Sequence, residues 1–158
     1  MLRDRIALYI RALLSGSENG VPEWTPLVEA GDDEGLFKPT DAAWIVHADV
    51  ATMIGGIRAL LLQALHPGSL AGVMQHSRYE EDALGRLSGT IRWLTICTFG
   101  SKAALEEESA RVRQMHERVK GKFSNNDGTE RSYKASDSDL LLWVHVAFTD
   151  SFLAAHQQ

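Results

Sequence analysis

The run Leu140-Leu141-Leu142-Trp143-Val144-His145-Val146-Ala147-Phe148 is apolar on nearly every side when wound into a helix. Such a helix expects neighbours on several sides. The rest of the chain must therefore supply elements to surround it, and those elements read as helices. No alternation of apolar and polar residues persists long enough to build a sheet. The expectation is an all-α, multi-helix bundle. A length of 158 residues points to one domain spanning 1–158, with an N-terminal helix and loop over 1–34 and a core over 35–158.

Local signals divide the chain. Met1 to Leu14 reads as a short amphipathic helix, followed by a Gly- and Pro-bearing loop over 15–35. Thr40 or Asp41 caps a short helix through Trp44 to His47, and Asp49 caps another from Val50 to Leu65. Pro67 disfavours the helical conformation at His66 and ends that helix. A short segment follows, from Gly68 to His76. The next helix runs from Ala83 to Cys97 and is broken by Gly100. Ser101 caps a further helix expected to reach Lys120 and stop at Gly121. Residues 121–136 form a polar loop or small hairpin. A last helix starts at Asp139 and runs on with no Gly or Asn stop signal, so the chain is expected to end within or just after a core helix.

Composition narrows the function classes. A formal net charge of −5 gives no electrostatic reason to expect nucleic-acid binding. The single cysteine, Cys97, excludes an internal disulfide and any cysteine-rich metal cluster, and it fits a reducing cytoplasm. Arg3, Asp4, Arg5 and Arg11 interrupt the N-terminal apolar residues, so this is not a secretory signal. The apolar stretch Val50 to Leu65 is short for a membrane span and carries Arg58. There is no phosphate-binding Gly-rich loop and no nucleophile elbow. His116-Glu117 opens a zinc-hydrolase motif, but position 120 is Lys, so the second ligand is missing.

Six histidines remain, and His116 has the most suggestive setting. Leu105, Val112, Met115 and Val119 lie on or near its face of a helix. An apolar stripe with one imidazole suits the proximal side of an iron porphyrin. Arg113, three residues before, and Lys120, four after, suit its anionic propionates. A hydrogen-bonded core histidine beside a basic last turn is the plainer alternative. Arg86 and Thr90 are four apart on the preceding helix and can project together toward dioxygen or a substrate carbonyl. The plainer reading of Arg86 is a surface ion pair with Glu80 or Glu81. His66 and His145 are rival ligands, and His47, Asp49 and His66 suggest a non-haem metal hydrolase as a distant third reading.

The order of motifs resembles a family. Gly35-Leu36-Phe37, Trp44-Ile45-Val46-His47-Ala48-Asp49, the run from Gly55-Gly56-Ile57-Arg58 to Leu65-His66-Pro67-Gly68, Arg111-Val112-Arg113-Gln114-Met115-His116 and Asp139-Leu140-Leu141-Leu142-Trp143-Val144-His145 look like the MpaB oxygenase family, which includes the latex clearing proteins. The resemblance covers most of residues 35–156. It implies a globin-like helical core holding haem b, and cleavage of an isoprenoid double bond by dioxygen. The latex-clearing pattern Arg-x-x-His-x-x-x-Arg, with its proximal histidine, is similar to Arg113-Gln-Met-His116-Glu-Arg-Val-Lys120, with Lys in place of the final Arg. The distal Arg-x-x-x-Thr resembles Arg86-Leu-Ser-Gly-Thr90. The rubber enzymes carry a lysine where this chain has Gly89, and no carboxylate between His66 and Arg78 matches their distal glutamate. Family catalytic domains continue past the last residue here, so the expectation is a C-terminally short copy.

These readings imply a haem-b-dependent oxygenase of an apolar, isoprenoid or lipid-like substrate. His116 is the iron ligand, Arg113 and Lys120 are cofactor-binding, and Arg86 and Thr90 are catalytic. The expected partners are that substrate and dioxygen, with no transmembrane segment and with oligomers formed through an exposed apolar C-terminal helix. The alternative is a non-catalytic or incomplete helical paralogue acting as a binding module.

Overall fold

The computed structural model describes residues 2–31, 33, 35–125 and 127–158. In chain order it contains α1 (Leu2–Ser15), α2 (Thr25–Glu29), α3 (Ala42–Ala48), α4 (Thr52–Gln63), α5 (Pro67–His76), α6 (Ala83–Phe99), α7 (Lys102–Arg118), β1 (Lys120–Ser124), β2 (Glu130–Lys134) and α8 (Ser138–His156). The fold is mostly helical, and its only sheet among the described residues is the antiparallel β1–β2 hairpin.

Local chemistry sets the helix ends. The Asp82 carboxylate accepts from the Gly85 amide at 2.8 Å and caps α6. At the start of α7, the Ser101 hydroxyl accepts from Ala104 N at 3.2 Å. The Asp33 carboxylate accepts from Gly35 N at 2.7 Å and from Lys102 N at 3.1 Å, and these bonds hold its pKa below the usual carboxylate value. Asp49 accepts from Ala51 N at 2.9 Å, but α4 begins only at Thr52, whose hydroxyl donates to Val46 O at 2.6 Å.

Three boundaries differ from the sequence expectation. α4 ends at Gln63, and Pro67 opens α5 instead of merely closing what precedes it. Its missing N–H costs nothing in a first turn, and His66 Nδ1 accepts from Gly68 N at 3.2 Å. The loop over 15–35 contains α2, with Pro26 in its first turn. α7 stops at Arg118 because the hairpin takes the following residues: Lys120 pairs with Lys134, and Ala135 N donates to Val119 O at 2.9 Å.

By contacts the chain divides into two compact units, residues 1–38 with 78–110, and residues 39–77 with 111–158. In the first, α1 and α2 pack on α6, and Ser88 Oγ donates to Ser15 O at 3.2 Å. Among its described residues Ile96, Thr98, Gly100, Ala104 and Glu108 are buried.

The second unit is built on the α4–α8 crossing. Gly55 and Ala59 of α4 and Ala147, Ser151 and Phe152 of α8 are buried there. Arg58 Nη1 reaches Asp150 at 2.6 Å and Ser151 Oγ at 2.9 Å, and Trp143 Nε1 donates to Gln63 O at 3.2 Å. A second cluster joins α5 to the hairpin through Ala71, Tyr133 and Leu140, with Val119 and Phe123 against them. The apolar last helix is not enclosed on every side as its sequence suggests. Leu141, Leu142, Val146 and Leu153 stay exposed, as do Ile54, Ile57 and Leu61 of α4.

Candidate functional site

His116 lies near the end of α7, on the same side as Leu105 and Val112, and all three are half-buried. Burial pushes its pKa below the ordinary histidine value, and no hydrogen bond to its ring is found among the described residues. Met115, one residue back and about 100° around the helix, points elsewhere. It is 48% exposed and lines a surface cleft of about 380 Å³ with His76, Arg111, Gln114, Arg118 and Val119. His116 itself is not among the lining residues, so the apolar stripe expected around it divides between two sides of α7.

Arg113 is on α7 and exposed. Lys120 is exposed too, but it opens β1 and is not on the helix. The expectation that it sits one helical turn past His116 is therefore corrected. Its backbone carbonyl lies 3.0 Å from His76 Nε2.

Arg86 and Thr90 are both half-buried on α6, within the first unit, whereas Arg113, His116 and Lys120 belong to the second. The expected alternative for Arg86, an ion pair with Glu80 or Glu81, is not formed: Glu81 holds Arg78 at 2.9 Å and Glu80 accepts from Tyr79 at 2.9 Å. Burial instead lowers the Arg86 pKa, and the guanidinium has no ion pair among the described residues. Thr90 Oγ1 donates to Arg86 O at 3.3 Å, so its proton faces the backbone and its oxygen lone pairs are left to accept.

The other histidines are placed differently. His66 caps α5 through Nδ1 and its ring lies 5.9 Å from that of Trp143. His145 is exposed. His47 is edge-on to Phe152 at 4.7 Å; burial lowers its pKa and its Nδ1 is buried without a partner. Asp49 is engaged by His156 at 2.8 Å. No three metal-binding side chains come together among the described residues, so a hydrolase centre at His47, Asp49 and His66 is not formed.

Sequence reasoning missed Glu108. It follows two exposed acids, Glu106 and Glu107, so a run of three glutamates hides the one that points inward. Glu108 is 1% exposed and is gripped by Arg92 through both carboxylate oxygens. The available signal was register: Glu108 is four residues after the buried Ala104 and four before Val112, on the inward side of α7. Cys97 is half-buried; burial raises its thiol pKa while a hydrogen bond with Ser109 opposes that shift.

An iron ligand must be a neutral imidazole with a free ring nitrogen. His116 has both properties, and Arg113 and Lys120 put exposed cations in the same unit. The donor set therefore suits a haem. His47 shares the lowered pKa and has an unpartnered Nδ1, but that nitrogen is buried, and its ring packs edge-on against Phe152 at 4.7 Å. Residues 44–158 match the family model described as "ER-bound oxygenase mpaB/B'/Rubber oxygenase, catalytic domain", and the chain belongs to that family. No match to a curated protein or to a solved structure was found.

Proposed function

We propose that this chain is a haem-b-dependent oxygenase domain that cleaves an apolar, isoprenoid or lipid-like substrate with dioxygen. The observation that carries the reading is the His116 ring, half-buried, biased to its neutral form and with no hydrogen-bond partner among the described residues, in a chain of an oxygenase family. His116 would hold the iron on the proximal side, and Arg113 and Lys120 would pair with the propionates. Haem, when bound, supplies an iron site at which dioxygen is activated.

The chain's own residues bind and orient. The Arg86 guanidinium, half-buried and without a carboxylate partner among the described residues, would stabilise negative charge developing on oxygen. Thr90 would accept a hydrogen bond through its free lone pairs. In the overall reaction one carbon–carbon double bond and dioxygen become two carbonyl groups. Each oxygen atom ends on one carbon, so no external electrons are needed. The reading places the protein in the cytoplasm.

The test uses haem-loaded protein, a short isoprenoid and ¹⁸O-labelled dioxygen. One labelled oxygen in each carbonyl fragment is expected. Unchanged substrate, or fragments labelled only from water, would reject the oxygenase assignment.

One observation favours a second reading. Leu141, Leu142 and Val146 leave an apolar face on α8, and such faces serve as interaction surfaces. A non-catalytic module would then use α8 to bind a partner or a second copy. A protein that takes up no haem and forms a dimer abolished by Leu142→Ser with Val146→Ser would support it.

A further inference from the structure

α1 lies outside the segment that carries the family match, and most of its surface is exposed. Leu2, Ile6, Tyr9, Ile10 and Leu13 are all exposed large apolar residues. At about 100° per residue they fall within one narrow arc of the helix. Arg3 and Arg5 project on opposite flanks of that arc, each about 80° from its centre. Both are exposed, and neither makes an ion pair among the described residues. The half-buried Ser15 lies on the far side, where its carbonyl accepts from Ser88 of α6, and Leu8, 49% exposed, also lies outside the arc.

We propose that α1 docks this protein on an anionic lipid surface, its apolar arc entering the headgroup–acyl boundary and Arg3 and Arg5 reaching lipid phosphates on either side. Three observations fix the occupant. α1 carries Arg3, Arg5 and Arg11 against the single acid Asp4, on a chain whose net charge is −5, so the positive charge is local to the helix. An apolar arc edged by arginines suits an interface, because the long side chains bury their stems while the charged ends stay at the headgroups. Tyr9, with an apolar body and a polar tip, sits within the same arc. The exposed apolar residues of α4 lack this frame, since its only charged residue, Arg58, is held by Asp150 at 2.6 Å. With 14 residues α1 is too short to cross a bilayer, which takes roughly 20. It lies on the surface and does not span.

The test is co-sedimentation of the full chain with vesicles of phosphatidylcholine containing phosphatidylglycerol, against vesicles of phosphatidylcholine alone. Binding to the anionic vesicles is expected, weakening as salt is raised. Each arginine near such a surface contributes about fivefold, so Arg3→Gln with Arg5→Gln lowers binding by more than about tenfold. Ile6→Ser with Ile10→Ser abolishes it. All four side chains are exposed, so these variants keep the wild-type circular dichroism and melting temperature. Absence of binding to anionic vesicles overturns the proposal. So does binding that both double variants retain, equal binding to the uncharged vesicles, or self-association of the wild type that Ile6→Ser with Ile10→Ser removes.

Discussion

Arg92 and Glu108 meet fork to fork: Nε lies 3.2 and 3.1 Å from the two carboxylate oxygens, and Nη2 lies 2.9 Å from Oε2. The carboxylate is almost wholly buried, while the arginine keeps a third of its side chain in water. Removing Arg92 strips three charge-assisted hydrogen bonds from a carboxylate in a poorly solvated place. Arg92→Met is therefore expected to cost about 2–4 kcal/mol, somewhat less than for a fully buried pair. Arg92→Met with Glu108→Leu recovers most of the loss. Urea denaturation of the three proteins checks this, and an Arg92→Met midpoint equal to wild type would contradict it.

Glycines on two helices are expected to respond oppositely. A Cβ at Gly55 would sit 2.8 Å from the Phe152 ring, 3.0 Å from Phe152 Cα and 3.1 Å from Ser151 O, so α4 and α8 would have to separate. Gly55→Val is expected to destabilise by about 1–3 kcal/mol. At Gly89, on α6, a Cβ meets nothing within 4 Å. Gly89→Ala should stabilise by about 0.5–1 kcal/mol through helix propensity alone. Thermal melts of both variants read the two signs, and equal shifts would refute the close crossing as the cause.

Stability should fall toward mildly acid pH. Burial lowers the pKa of His47 and of His116 from 6.5 in the folded chain. Between the folded and unfolded values the unfolded chain binds more protons, so stability rises with pH there. The contribution is complete above about pH 6.5 and is lost as pH falls through the folded-state values. His47→Phe with His116→Phe should flatten the dependence of the urea midpoint between about pH 7.5 and about pH 5.5. A slope as steep as wild type would assign the effect to other groups.

The sequence made the helices legible wherever a polar side chain or glycine sits at a boundary, as Asp82, Gly100 and Ser101 do around α6 and α7. It misplaced ends that depend on a distant partner. Lys120 continues a helical pattern, but pairing with Lys134 draws it into the hairpin, and no local residue announces that competition. Pro67 reads equally well as an end or a beginning; the structure uses it as a beginning. The same limit applies to the candidate site. The side of α7 shared by His116 and Val112 follows from spacing, whereas the absence of a carboxylate partner for Arg86 depends on Arg78 taking Glu81.

That unpaired guanidinium separates stability from activity. Arg86 is half-buried without an ion pair among the described residues, so its charge is held at a cost. Arg86→Met should leave stability unchanged or raise it by about 0.5–1 kcal/mol. Oxygen consumption by the haem-loaded protein on an isoprenoid substrate should fall about 10²-fold. A variant that melts earlier and keeps full turnover would place Arg86 in the fold alone.

The most direct test of the central claim is a haem titration followed in the Soret region. The wild-type protein should bind one haem with a spectrum typical of histidine ligation. His116→Ala should lose that spectrum and regain it on adding imidazole, while His66→Ala and His145→Ala keep it. A Soret band identical in wild type and His116→Ala, or no binding by the wild type, would contradict ligation by His116.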